Sequence, residues 1–219
     1  MKNKVLRAKH WQLFLITTGI PFAAMIVSVI LQIIWVASNN GRPTGEPLWM
    51  IIPSLLIPAI MLFAGLTHLT WIYSIATKLQ AYMNPELRKL NVKRFRLFFF
   101  IPFFYMLVIM LTVLTVFRSS VGDEENLGVI VPLMLFMILG HSFSAFCAIY
   151  VLYFSAKTLN SVEMKMEAHF SDYIGDFMLL WVFPIGVWFI QPRINAIVNG
   201  TVDSPKKMIY QQRIDPTDF

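Results

Sequence analysis

KLQAYMNPELRKLNVKRFR, residues 78–96, divides the chain. It carries six Lys or Arg (Lys78, Arg88, Lys89, Lys93, Arg94, Arg96) against the single acid Glu86. Long apolar runs lie on either side of it. A basic loop between two such runs is the strongest orientation signal a membrane protein carries, because Lys and Arg are retained on the cytoplasmic side. The stretch therefore reads as a cytoplasmic loop joining two membrane hairpins.

The runs themselves are 11–37, 48–77, 97–117 and 127–156, and none contains Asp, Glu, Lys or Arg. A helix needs about 20 apolar residues to cross a bilayer, so each run is a candidate span. The whole chain of 219 residues is 57% hydrophobic and 14% charged, well below the charge of about 25% in soluble domains. The first run is too long for the hydrophobic part of a cleaved signal peptide, which covers about 7–15 residues, so it is expected to be retained. The expected fold is all-α: an integral membrane bundle of four transmembrane helices arranged as two tandem hairpins. Residues 1–200 form a single membrane domain and 201–219 a loosely ordered tail.

Net charge is +6, carried by the N-terminal arm (Lys2, Lys4, Arg7, Lys9), the central loop and the tail. Placed beside apolar runs, these bases point to anionic lipid headgroups rather than nucleic acid. They put both termini in the cytoplasm of a cell-membrane protein. The connections Ser38–Pro47 and Arg118–Asn126 fall outside; the latter holds three acids, Asp123, Glu124 and Glu125, and one base.

Asn84-Pro85-Glu86 has the order of an N-cap, a first-turn proline and an acid, which predicts a helix starting near Pro85. Gly19-Ile20-Pro21 predicts a loosened first span. After the fourth run, Leu159, Val162, Met166, Phe170, Tyr173, Ile174 and Phe177 recur at helical spacing. Over 159–176 this predicts an amphipathic helix at the interface, apolar side down. Glu163, Lys165, Glu167 and Asp172 fall on its other face, and Asp176 with His169 nearby. That face is expected to be solvated rather than metal-binding. The segment 177–190 (FMLLWVFPIGVWFI) is too short to cross and reads as re-entrant or interfacial.

A repeat underlies the spans. Lys9–Phe14, Lys93–Phe98 and Gly175–Leu180 each have a polar pair, an aromatic, one residue and then Leu, and each precedes a proline. Residues 73–79 and 153–159 also match.

Charged groups inside a membrane mark ion paths and proton relays; without them a pump or coupled transporter is disfavoured. The candidate intramembrane polar site is His68, Thr67, Thr70, His141 and Ser142. A haem held by both histidines is disfavoured, because they differ in depth: His68 lies about 15 Å from Lys78 and His141 about 24 Å from Lys157 at helical rise. No metalloprotease, hydrolase or P-loop signature is present, and the lone Cys147 excludes an internal disulfide. No cofactor is expected. The candidate interfacial anchor is Trp181, Pro184, Gly186, Trp188, Gln191 and Arg193, with the tryptophans at headgroup level.

The string Pro184-Ile185-Gly186-Val187-Trp188-Phe189-Ile190-Gln191-Pro192-Arg193-Ile194-Asn195 resembles a motif of small, functionally uncharacterised bacterial multi-pass membrane proteins. The resemblance implies a bacterial inner-membrane setting and brings no activity or site residues with it. The leading expectation is a non-enzymatic membrane protein acting through a protein partner or as a homo-oligomer. The alternative is a channel or transporter-like protein with a midplane cavity near His68 and His141.

Overall fold

The computed structural model describes residues 4–38, 48–83, 85, 90–119 and 127–201. Among them 89% are helical and none is in a strand. The expectations for the two outside loops and for the tail fall on 39–47, 120–126 and 202–219, outside the described residues.

The chain opens with α1 (His10–Phe14), a π-helical turn (Leu15–Gly19) and α2 (Ile20–Ser38). The π turn is the local answer to Pro21. A proline ring clashes with a carbonyl one turn back, and here the Ile20 N–H reaches five residues back to Leu15 O. Widening the helix by one residue accommodates the clash without ending the helix. Next come α3 (Leu48–Lys78), a short 3₁₀ turn (Leu79–Tyr82), α4 (Val92–Ser119) and α5 (Leu127–Met164). Among the described residues three stretches are long and apolar enough to cross a membrane: His10–Ser38, Leu56–Tyr82 and Pro132–Met164.

The helix start expected near Pro85 falls on 84–89, which apart from Pro85 lie outside the described residues; α4 begins at Val92. Asn91 takes the cap: its Oδ1 accepts the Arg94 N–H at 3.2 Å. Phe95 and Phe99, in the first turns of this helix, are buried.

The largest departure lies between 159 and 190. The residues expected to form one amphipathic helix over 159–176 are shared between two. The helix α5 runs straight through to Met164; the chain then turns at Lys165, whose φ is 57°. A new helix, α6 (Phe170–Trp181), starts after a His169 N-cap whose N–H bonds Asp172 Oδ2 at 2.9 Å. The apolar stripe looked continuous because both helices turn their apolar sides toward each other across the bend. The segment 177–190 is likewise divided, at Val182, into the end of α6 and the start of α7 (Phe183–Asn199).

Together α6 and α7 form a short antiparallel hairpin. Close to the bend, a Cβ on Gly186 would lie 1.8 Å from Leu179 O. Farther out, Arg193 reaches Asp176 at 2.6 Å. The Phe183 ring lies 4.1 Å from His68 and 5.2 Å from Trp71. The tip of the hairpin is therefore level with His68, about 15 Å along α3 from Lys78.

The buried core gathers at one end of the bundle, the end carrying Lys9, Lys78, the start of α4 and the end of α5. Trp71, Ile75, Leu79, Phe95, Leu159 and Ile190 are each buried there. Tyr73 packs on Phe95 at 5.9 Å and Tyr153 on Tyr173 at 5.4 Å. The matching strings 73–79 and 153–159 thus have similar surroundings, with Ala76, Ala156, Leu79 and Leu159 all buried. The three aromatic starts do not: Leu13 is buried while Leu97 is exposed. At the other end of the bundle the helices separate. Only 6% of the most apolar stretch of His10–Ser38 is buried inside the chain.

In this core Ser74 is buried and its hydroxyl has no hydrogen-bond partner among the described residues. A buried polar group without a partner costs about 1–3 kcal/mol. Ser74→Ala is therefore expected to be neutral or to stabilise by up to about 1 kcal/mol. A thermal melt in mild detergent reads this directly, and a fall in Tm would show that the hydroxyl is used.

Candidate functional site

Two polar clusters sit inside the apolar core, and α7 contributes to both. Heptad-like spacing explains how. Val187, Ile190, Gln191 and Ile194 share one side of α7, and all four are buried. A glutamine on that side is carried into the core with them. Its amide has one strong acceptor and two N–H donors to satisfy. The Trp71 Nε1–H donates to Gln191 Oε1 at 2.6 Å. Gln191 Nε2 in turn donates to Leu6 O at 3.0 Å and Ala8 O at 2.8 Å. Asn195 Nδ2 adds a bond to Ala8 O at 3.1 Å. The N-terminal arm is thereby tied to α7, close to the opposite end of the chain, and α3 is tied to both. Trp188 extends the seam, with its ring 4.7 Å from His10 and 5.5 Å from Phe14.

The second cluster is ionic. The Arg193 guanidinium donates to both carboxylate oxygens of Asp176, Nη1 to Oδ1 at 2.6 Å and Nη2 to Oδ2 at 2.9 Å. It also grips Glu163, through Nε to Oε1 at 3.2 Å and Nη2 to Oε2. Asn160 Nδ2 donates to Asp176 Oδ2 at 2.6 Å. Helices α5, α6 and α7 are thus locked by one planar fork, a geometry Arg supplies and Lys does not. Both acids are almost fully buried, with side chains 6% and 5% exposed. Burial works against the Arg193 charge, but the hydrogen bonds and attraction of Asp176 and Glu163 outweigh it and raise its pKa further. The guanidinium stays charged throughout the accessible pH range.

This corrects the expectation of a solvated acidic face. Glu163 and Asp176 point inward, while Glu167 is exposed and pairs with Lys157 at 2.7 Å. The register contained the clue. Asp176 falls between Tyr173 and Leu180 at helical spacing, and these three are the buried residues of α6. Glu163 follows Leu159 by one turn on α5, and both are buried.

The expected intramembrane site is not assembled as a unit. His68 is partly buried, edge-on to Phe183 and 6.2 Å from Trp71. His141 is exposed on α5, near Tyr105 at 6.2 Å. The hydroxyls of Thr67, Thr70 and Ser142 bond Phe63 O, Leu66 O and Ile138 O within their own helices. The anchor residues divide. Trp181, Pro184 and Trp188 are exposed around the hairpin, whereas Gly186 and Gln191 are buried and Arg193 turns to the acids. Trp71, Asn160, Glu163 and Asp176 complete the seam and the ion cluster.

Among the described residues no three His, Cys, Asp or Glu side chains gather as metal ligands. The polar groups of these clusters are hydrogen-bonded to one another and to backbone carbonyls. What such an arrangement does is fasten helices, since a fully satisfied buried network specifies one packing. No family model matches the chain, and neither a curated protein nor a solved structure is similar to it. The structure itself defines the class: among the described residues the chain is helical without strands, with three helices long and apolar enough to span a membrane.

Proposed function

We propose that the chain is a non-enzymatic, multi-pass protein of a bacterial cell membrane that acts by binding, to a protein partner or to further copies of itself. In this reading α4 is a fourth crossing and the spans form two tandem hairpins. The end with the packed core faces the cytoplasm, where both termini lie among anionic headgroups. The pair α6–α7 is a re-entrant hairpin, entering from the cytoplasmic side to about the depth of His68 and returning.

The observation that carries the binding role is the asymmetry of packing. One half of the molecule is fastened by the seam and the ion cluster. In the other half, Phe22, Ile33, Leu62, Phe104 and Leu139 are exposed. Lipid tails are as apolar as these side chains, so helices associate in a bilayer through shape and polar contacts rather than hydrophobic force. The exposed side of α2 offers one such contact: Gln32 Nε2 donates to Ser28 Oγ at 3.4 Å, a long bond, and the Gln32 carbonyl has no partner among the described residues.

Extraction in mild detergent followed by native mass spectrometry tests this. A stoichiometric partner or a homo-oligomer, weakened by Gln32→Leu, is the expected result. A lone monomer insensitive to that change would contradict it. The channel reading has no observation of its own, since the two histidines lie in separate surroundings. Solute flux in liposomes that His68→Ala abolishes would establish it instead.

A further inference from the structure

Between α5 and α6, below the turn that joins them, runs an open groove of about 270 Å³. Its walls are Phe146, Ile149 and Tyr150 of α5 and Phe170, Ile174 and Phe177 of α6. Tyr153 and Tyr173 meet within it, ring centroids 5.4 Å apart. The groove extends about 10 Å along α5, from Tyr153 to Phe146, at helical rise. Phe98 of α4 packs behind the α5 wall, 4.6 Å from Tyr150 and 6.3 Å from Phe146.

One turn before Phe98 on α4, and so on the same face, stands Arg94. It is exposed, carries no salt bridge among the described residues and lies within electrostatic reach of the Tyr150 phenol. It is nearer than Phe98 to the end of the bundle that holds Lys78 and the start of α4. An elongated apolar slot thus has, toward its headgroup end, the cation Arg94 with no salt bridge among the described residues, while Lys157, one turn beyond Tyr153, is paired with Glu167. A helix is about 10–12 Å across and is too thick for this space.

We propose that this groove holds one acyl chain of an anionic phospholipid from the cytoplasmic leaflet, with its headgroup held by Arg94. The inference rests on the membrane reading above. The bound chain runs parallel to α5 and touches aromatic walls on two sides, a closer fit than a lipid lying against a convex helix receives.

The test is native mass spectrometry of the full chain from bilayers holding equal phosphatidylglycerol and phosphatidylcholine of one chain length. The wild type is expected to retain one lipid, with phosphatidylglycerol favoured about fivefold, the factor expected for one basic residue near an anionic surface. Ile174→Trp, which fills the groove, should release it whatever the headgroup. Ile149→Trp fills it from the other wall and gives the same readout should Ile174→Trp fail to fold. Arg94→Gln should keep a lipid but lose the preference. Wild-type levels of lipid in a folded Trp variant, a preference unchanged in Arg94→Gln, or a retained free fatty acid would each overturn the proposal. Release of the whole chain from membranes by alkaline carbonate would instead overturn the membrane reading on which it rests.

Discussion

Gly186→Ala is expected to open the α6–α7 hairpin and cost about 3 kcal/mol or more, at the upper end of what overpacking a core costs. A methyl group there would lie 1.8 Å from Leu179 O and 2.5 Å from Leu179 C. Both are backbone atoms inside α6, so relief requires the two helices to move apart. That movement drags Gln191 and Arg193 from their partners, because both lie on α7 with the glycine. At about 2–4 °C per kcal/mol for a chain of this size, Tm in detergent should fall by about 10 °C. Gly175→Ala is the control: nothing lies within 4 Å of its Cβ position. It should be neutral or stabilise by about 0.5–1 kcal/mol, the helical preference for Ala. Equal behaviour of the two variants would mean that the close approach at Gly186 is absent.

Arg193→Leu is expected to cost about 3–5 kcal/mol, the loss seen when one member of a buried ion pair is removed. Glu163 and Asp176 would be left in the core without their cation, with Asn160 still donating to Asp176. Arg193→Lys should recover only part of the loss, because a single ammonium cannot grip two carboxylates in a plane. The decisive variant is triple: Arg193→Leu with Glu163→Leu and Asp176→Leu. Replacing a buried ionic cluster by apolar side chains of similar size is often neutral or stabilising. The triple variant should therefore be much more stable than Arg193→Leu alone. Denaturant titration of the single and triple variants reads this. A single variant that loses under about 1 kcal/mol would place the cluster at the level of a surface pair.

The helices were largely legible in the sequence because apolar length and charge placement are local properties. Trp11–Ala37 and Leu127–Ala156 need no partner to be read as helical. The bends were harder. Leu159 and Phe170 keep helical spacing across a turn at Lys165, since two packed helices present apolar residues to one shared interior. Nothing local separates that from one longer helix.

The site was legible in part. The string from Pro184 to Asn195 stood out. The partners did not stand out. Gln191 bonds Trp71 and the carbonyls of Leu6 and Ala8, contacts that depend on tertiary packing across most of the chain. Asp176 and Glu163 read as solvated because acids on helices mostly are. Only their register with Tyr173, Leu180 and Leu159 pointed inward. Polar residues at core register deserve the opposite presumption in a chain this apolar, since a buried acid requires a buried cation to match it.

In the proposed topology α6 and α7 enter and leave on one side of the membrane. Single cysteines at Lys165→Cys and Asn199→Cys, in a Cys147→Ala background, flank the hairpin at exposed positions. An impermeant thiol reagent added to intact cells should label neither, and should label both in inverted vesicles. Labelling of one site from the outside and the other from the inside would mean that the segment crosses the membrane, and would contradict the account.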